Sequence, residues 1–115
     1  FKLLEPSLDI FDIASATWTT AAEELPEPRD GTFSIAHDGR YLVAGGESDR
    51  QQAAHDQVHA YDPLAESWSE LPQFTRGRHG AGIVFHQGAV YTCAGSGNRG
   101  GSPELDSLEQ LKPYP

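Results

Sequence analysis

Methionine is absent from this chain, and cysteine occurs once, as Cys93. A single thiol excludes an intrachain disulfide and any metal site built from several thiolates, while leaving the cellular compartment open. Cations are scarce as well: 8 Lys and Arg stand against 17 Asp and Glu, for a formal net charge of -9. Duplex DNA would be repelled by that balance unless the few cations gathered on one face, so nucleic acid is not an expected partner. Nor is a membrane, since no apolar run approaches the roughly 20 residues of a spanning helix. Residues 1–20 also lack the basic start and apolar centre of a signal peptide. The 37% hydrophobic content across 115 residues is compatible with one small folded core. With Phe1 first and no Met, the chain reads as a piece of something longer.

Internal repetition is the strongest signal. Leu8-Asp9-Ile10-Phe11-Asp12, Val58-His59-Ala60-Tyr61-Asp62 and Leu108-Glu109-Gln110-Leu111-Lys112 recur at a spacing of 50, and the same spacing links Trp18 to Trp68. Each block alternates or carries an aromatic tip, as strands do. Residues 33–46 align with residues 82–95 at a spacing of 49, with His-x-Gly at the middle of both copies. This predicts two hairpins with tight turns at Asp38-Gly39 and Gln87-Gly88, where glycine accepts the positive φ that such turns need. Periods of this length signify stacked repeat units and are settled before any short motif.

These residues carry a family resemblance. Ala44-Gly45-Gly46 closing a strand, then Tyr61-Asp62-Pro63, Trp68, Leu71-Pro72 and Arg78-His79-Gly80 resemble the Kelch repeat, which implies one four-stranded antiparallel blade of a β-propeller per period. The fold class expected is therefore all-β, a portion of a Kelch-type propeller amounting to about two blade equivalents. Residues 8–20 would supply strands c and d of one blade, residues 32–70 a complete blade, and residues 80–112 strands a to c of a further one. Ala94-Gly95 replaces the glycine doublet in the second copy, and Leu111 replaces the aromatic in the third.

That alignment decides how a tempting motif is read. Gly95-Ser96-Gly97-Asn98-Arg99-Gly100 fits G-x-G-x-x-G and is followed by Ser102-Pro103-Glu104, which looks like a capped helix start. A dinucleotide site needs a helix, a second parallel strand and an acidic residue about 20 positions further on. The repeat instead makes residues 97–104 a connection between strands, followed by a strand at 107–112, so the reading is a glycine-rich loop.

Two repeats leave blade faces and strand edges open. Further blades are expected from a longer chain, with closure by homo-oligomerisation as the alternative. Trp18 and Trp68 are expected to be the largest buried side chains, and Cys93 a small buried one.

Function is expected at one end of the ring. In an antiparallel meander the d-to-a and b-to-c connections emerge together, and long loops on a rigid scaffold are where binding concentrates. Five of the six arginines fall there: Arg29, Arg76 and Arg78 between d and a, Arg50 and Arg99 between b and c. With His79 and Asn98 they form the candidate ligand-binding face, suited to a carboxylate, a sulfate or an acidic peptide because the guanidinium fork matches such groups. The Kelch resemblance implies a protein partner through the same loops. No cofactor is expected, and no metal: His55, Asp56 and His59 are a local His/carboxylate set, but strand alternation keeps His59 from converging with the others. No catalytic residue is assigned. The competing reading is part of a propeller enzyme resembling copper radical oxidases or sialic-acid isomerases, with active residues mostly outside this chain. The oxidases' cross-linked Tyr/Cys pair and copper ligands do not map onto it.

Overall fold

The computed structural model describes residues 3–115, and within them nine strands form three antiparallel sheets with no helix. The first sheet pairs β1 (Asp9–Asp12) with β2 (Thr17–Thr20). The second runs β3 (Phe33–His37), β4 (Arg40–Ala44), β5 (Val58–Asp62) and β6 (Ser67–Leu71) in sequence order. The third contains β7 (Gly82–His86), β8 (Ala89–Cys93) and β9 (Leu108–Leu111).

Turn chemistry fixes the hairpins. Asp38 and Gly39 have φ of 52° and 73°, and Gln87 and Gly88 have 48° and 77°, so both turns carry two successive positive φ values. That is the backbone of a type I′ turn, whose twist matches the flanking strands. The wider turns between β1 and β2 and between β5 and β6 are organised by aspartate. Asp12 Oδ1 accepts the Ser15 N–H at 3.1 Å, and Asp62 Oδ1 accepts the Leu64 and Ala65 N–H groups at 2.9 and 3.3 Å. The aromatic spacing is explained by register: Phe11 lies opposite Trp18 and Tyr61 opposite Trp68, with ring centroids 5.0 and 5.2 Å apart.

The core lies between the second and third sheets. Phe33, Leu42, Ala44, Val58 and Ala60 meet Ile83 and Val90, with Phe74 and Tyr114 filling the two ends. After β9 the Tyr114 hydroxyl donates to the Pro72 carbonyl at 2.7 Å, and its ring packs edge-on with that of Phe85. Burial pushes its phenol pKa up to about 12.

Two burial expectations are corrected. Trp18 is 69% exposed, since among the described residues only β1 pairs with its strand; Trp68 is partly covered and donates its Nε1–H to the Glu23 carbonyl at 3.0 Å. Cys93 is exposed, on the face of the third sheet left open among the described residues. Val84 and Leu108 share that face at 56% and 65% exposure, whereas Val58, the repeat equivalent of Leu108, is fully buried.

Candidate functional site

The connections between sheets gather at one end and are laced together by backbone hydrogen bonds. Asp30 and Glu47 exchange two bonds of 2.9 and 2.8 Å, and His79 and Ser96 exchange two of 3.0 Å. Between the long loops, Ala54 N–H donates to Gly97 O at 2.9 Å and Arg99 N–H to Gln52 O at 2.8 Å. Close approach requires glycine here. A Cβ on Gly46 would stand 2.7 Å from the Asp30 carbonyl, and one on Gly95 would stand 2.6 Å from the His79 carbonyl. Ala94 is tolerated where the second sheet has Gly45, since it is exposed at a φ of 61°, whereas a Cβ on Gly45 would collide with the Arg78 carbonyl and the Phe33 ring.

Against this platform the candidate residues divide. Arg29 and Arg78, expected on the ligand face, are buried at 6% and 0% exposure, and their donors serve the framework except for Arg78 Nε, which has no partner among the described residues. Arg29 donates from Nε to Gly45 O, and from its terminal nitrogens to Glu27 O at 2.8 Å and Val43 O at 3.2 Å. Burial lowers its pKa to about 10, opposed by Glu27 and Glu70, which leaves it cationic near neutrality. Arg78 occupies the equivalent place one repeat later. It donates to Ala94 O at 2.9 Å and Ser107 O at 3.3 Å, and pairs with Glu109 at 2.9 Å. Glu109 also accepts the backbone N–H groups of Thr75 and Arg76 at 2.7 and 2.9 Å. Burial alone would raise its pKa, but these N–H groups and Arg78 outweigh it and hold the carboxyl below its ordinary range.

The remaining arginines stay available. Arg50 is exposed and meets Glu27 at 3.5 Å, a surface pair of little energetic weight. Arg99 is exposed, with one long contact of 3.4 Å to Asp49 O. Arg76 is half-buried: its guanidinium lies over Gly97, with Cζ and Nε each 2.9 Å from where a Cβ would be, and among the described residues its side chain has no hydrogen-bond partner. Asn98, partly buried on the same loop, offers its backbone carbonyl to His79. His79 is held on both sides. Its Nδ1 lies 2.6 Å from Glu47 Oε2, and its Nε2 lies 2.9 and 2.6 Å from the carbonyls of Asn98 and Gly100.

Two other histidines, His55 and His59, are buried. His55 Nε2 lies 2.7 Å from Ser48 Oγ and its Nδ1 2.9 Å from Gln57 Oε1. This has the outline of a nucleophile-base-orienter array. With Ser48 and His55 at 0% and 1% exposure, no substrate reaches it in this conformation, and it braces the 47–57 loop from beneath. Nothing in the spacing of Ser48, His55 and Gln57 signalled that contact. His59 is buried with Nδ1 unpartnered among the described residues, and burial, reinforced by Arg29 and opposed by Glu70 and Glu27, lowers its pKa. No group of three or more His, Cys, Asp or Glu among the described residues is placed to hold a metal ion.

A laced end of repeated antiparallel sheets is the architecture of a propeller rather than of a nucleotide-binding fold, and known proteins agree. The chain is 30% identical over 87 residues to the Kelch-like protein terF of Aspergillus terreus, covering 74% of this chain and 19% of the relative. It is 35% identical over 65 residues to N-acetylneuraminate epimerase of Yersinia enterocolitica, covering 52% of this chain and 17% of that protein. The solved structure of YjhT superposes with a TM-score of 0.59 at 30% identity, over 70% of this chain and 25% of that one. No protein-family profile matches. The chain belongs to the Kelch-repeat β-propellers and is a portion of such a fold. It spans about a fifth of the length of terF.

Proposed function

We propose that this chain is part of a Kelch-propeller scaffold that binds a protein partner at its laced loop end, recognising carboxylates of an acidic segment through Arg50, Arg76 and Arg99 with Asn98 beside them. The observation that carries the reading is Arg76: a guanidinium lying over Gly97, on a hydrogen-bonded platform, with no internal partner among the described residues. A guanidinium whose donors are unspent inside the chain keeps its fork for a carboxylate. Further blades from a longer polypeptide would cover Val84 and Leu108, as the third sheet covers Val58 in this chain. Titration of the full-length polypeptide with a hexaglutamate peptide tests the binding. Saturable, salt-sensitive affinity that a hexalysine peptide lacks supports the reading, and equal behaviour of the two peptides overturns it.

A second reading is favoured by the 35% identity to N-acetylneuraminate epimerase. Neuraminate is a sugar acid, and its carboxylate would suit the same arginines, so the loop end would form one wall of a catalytic site completed by other blades. NMR of N-acetylneuraminate mixed with the full-length polypeptide separates the two, because epimerisation supports the enzyme and peptide binding without turnover supports the scaffold.

A further inference from the structure

His79 was a candidate for touching ligand, yet its ring is already engaged in two directions. Glu47 belongs to the connection after β4, His79 to the segment before β7, and Asn98 to Gly100 to the connection after β8. Three separate segments therefore meet at one imidazole. Glu47 closes the arrangement: one carboxylate oxygen faces His79 Nδ1 at 2.6 Å, and the other accepts the Gly100 N–H at 3.2 Å. Both side chains are largely covered, at 13% and 14% exposure, so water competes weakly for these contacts. The ring lies beside Gly31, where a Cβ would come to 3.5 Å from His79 Nδ1. On its far side the same loop is held by the Arg99 N–H to Gln52 O bond of 2.8 Å.

We infer that His79 and Glu47 form a clasp that fixes the Asn98–Gly100 loop against the second sheet and thereby sets the position of Arg99 on the binding face; this rests on the acidic-ligand reading above. Neither clasp residue touches ligand. Both are positioning residues, and Glu47, an acid in a site read as anion-binding, is accounted for because its two oxygens are occupied internally. Gly100 has φ of 86°, and the tip beyond it at Gly101 and Ser102 is exposed.

The test compares the wild-type full-length polypeptide with His79→Phe, which keeps a ring without donors, and Glu47→Gln, which keeps size and one acceptor. Hydrogen exchange at residues 98–100 is expected to accelerate about tenfold in both, while β8 amides and the denaturation midpoint stay unchanged. Affinity for hexaglutamate is expected to fall about tenfold in parallel with Arg99→Ala, because an unordered loop must be ordered on binding. Unchanged exchange at 98–100 in Glu47→Gln overturns the clasp even if His79→Phe fails to fold. Faster exchange with undiminished peptide affinity overturns its role in placing Arg99. If the loop loosens in the variants and wild type binds no peptide, the acidic-ligand reading fails while the clasp stands.

Discussion

Arg78 is paired with Glu109 at 2.9 Å across 31 residues of sequence, with the arginine side chain fully buried. The pair joins the segment entering the third sheet to that sheet's last strand, and the glutamate also caps two backbone N–H groups. Glu109→Ala is therefore expected to destabilise by about 3–5 kcal/mol, because it leaves a buried guanidinium uncompensated. Urea unfolding of the variant checks this. A shift as small as that of a surface substitution would mean that water replaces the carboxylate.

Glycines with positive φ separate into two kinds. Gly46→Ala, at a φ of 115° and facing the Asp30 carbonyl, combines backbone strain with collision and should cost on the order of 3 kcal/mol. Gly39→Ala meets nothing within 4 Å and bears only its φ of 73°, so about 1 kcal/mol is expected. Thermal unfolding of the two variants side by side measures the difference.

Acid should weaken the fold in two windows. His59 has a lowered pKa in the folded state, so the unfolded chain binds its proton more readily. Its contribution is complete above the unfolded value of about 6.5 and is lost as pH falls through the lower folded value. Glu109 is also lowered, so its contribution is complete above about 4.3 and is lost at more acid pH. Denaturation midpoints measured from pH 7.5 to 3 should fall in both ranges, and His59→Gln should flatten only the upper one.

Gly97 offers a way to move Arg76 without deleting it. A methyl group at 97 occupies the place of the guanidinium, which is the free end of a flexible side chain and can swing away. Gly97→Ala is expected to change stability by less than about 1 kcal/mol while weakening hexaglutamate binding about as much as Arg76→Ala, roughly tenfold. Calorimetric titration of both variants gives the comparison. Undiminished affinity in Gly97→Ala would show that the position of Arg76 does not matter.

The sequence reached the fold because repetition and local chemistry agree. The hairpin turns at Asp38-Gly39 and Gln87-Gly88 were legible because type I′ geometry demands particular residues at adjacent positions. The aromatic-to-Trp spacing was legible because strand register converts it into a facing pair. Its place in the period makes the G-x-G-x-x-G stretch a loop, and the structure places no helix behind it. The site was far less legible. All five arginines placed at the loop end look alike as letters, yet Arg29 and Arg78 turn inward to carbonyls contributed by residues 14 to 29 positions away.

By itself, then, the sequence determined the Kelch architecture, the strand periodicity, the tight turns and the acidic balance, since each rests on interactions between residues close in the chain or equivalent by repeat. Only the tertiary structure decided which charges are free. Whether Arg78 meets solvent or Glu109, whether His79 faces a ligand or Glu47, and whether Ser48 is exposed or sealed beneath its loop depend on how loops from different sheets close over one another. That closure is set by long-range hydrogen bonds and burial, which no local pattern of residues encodes.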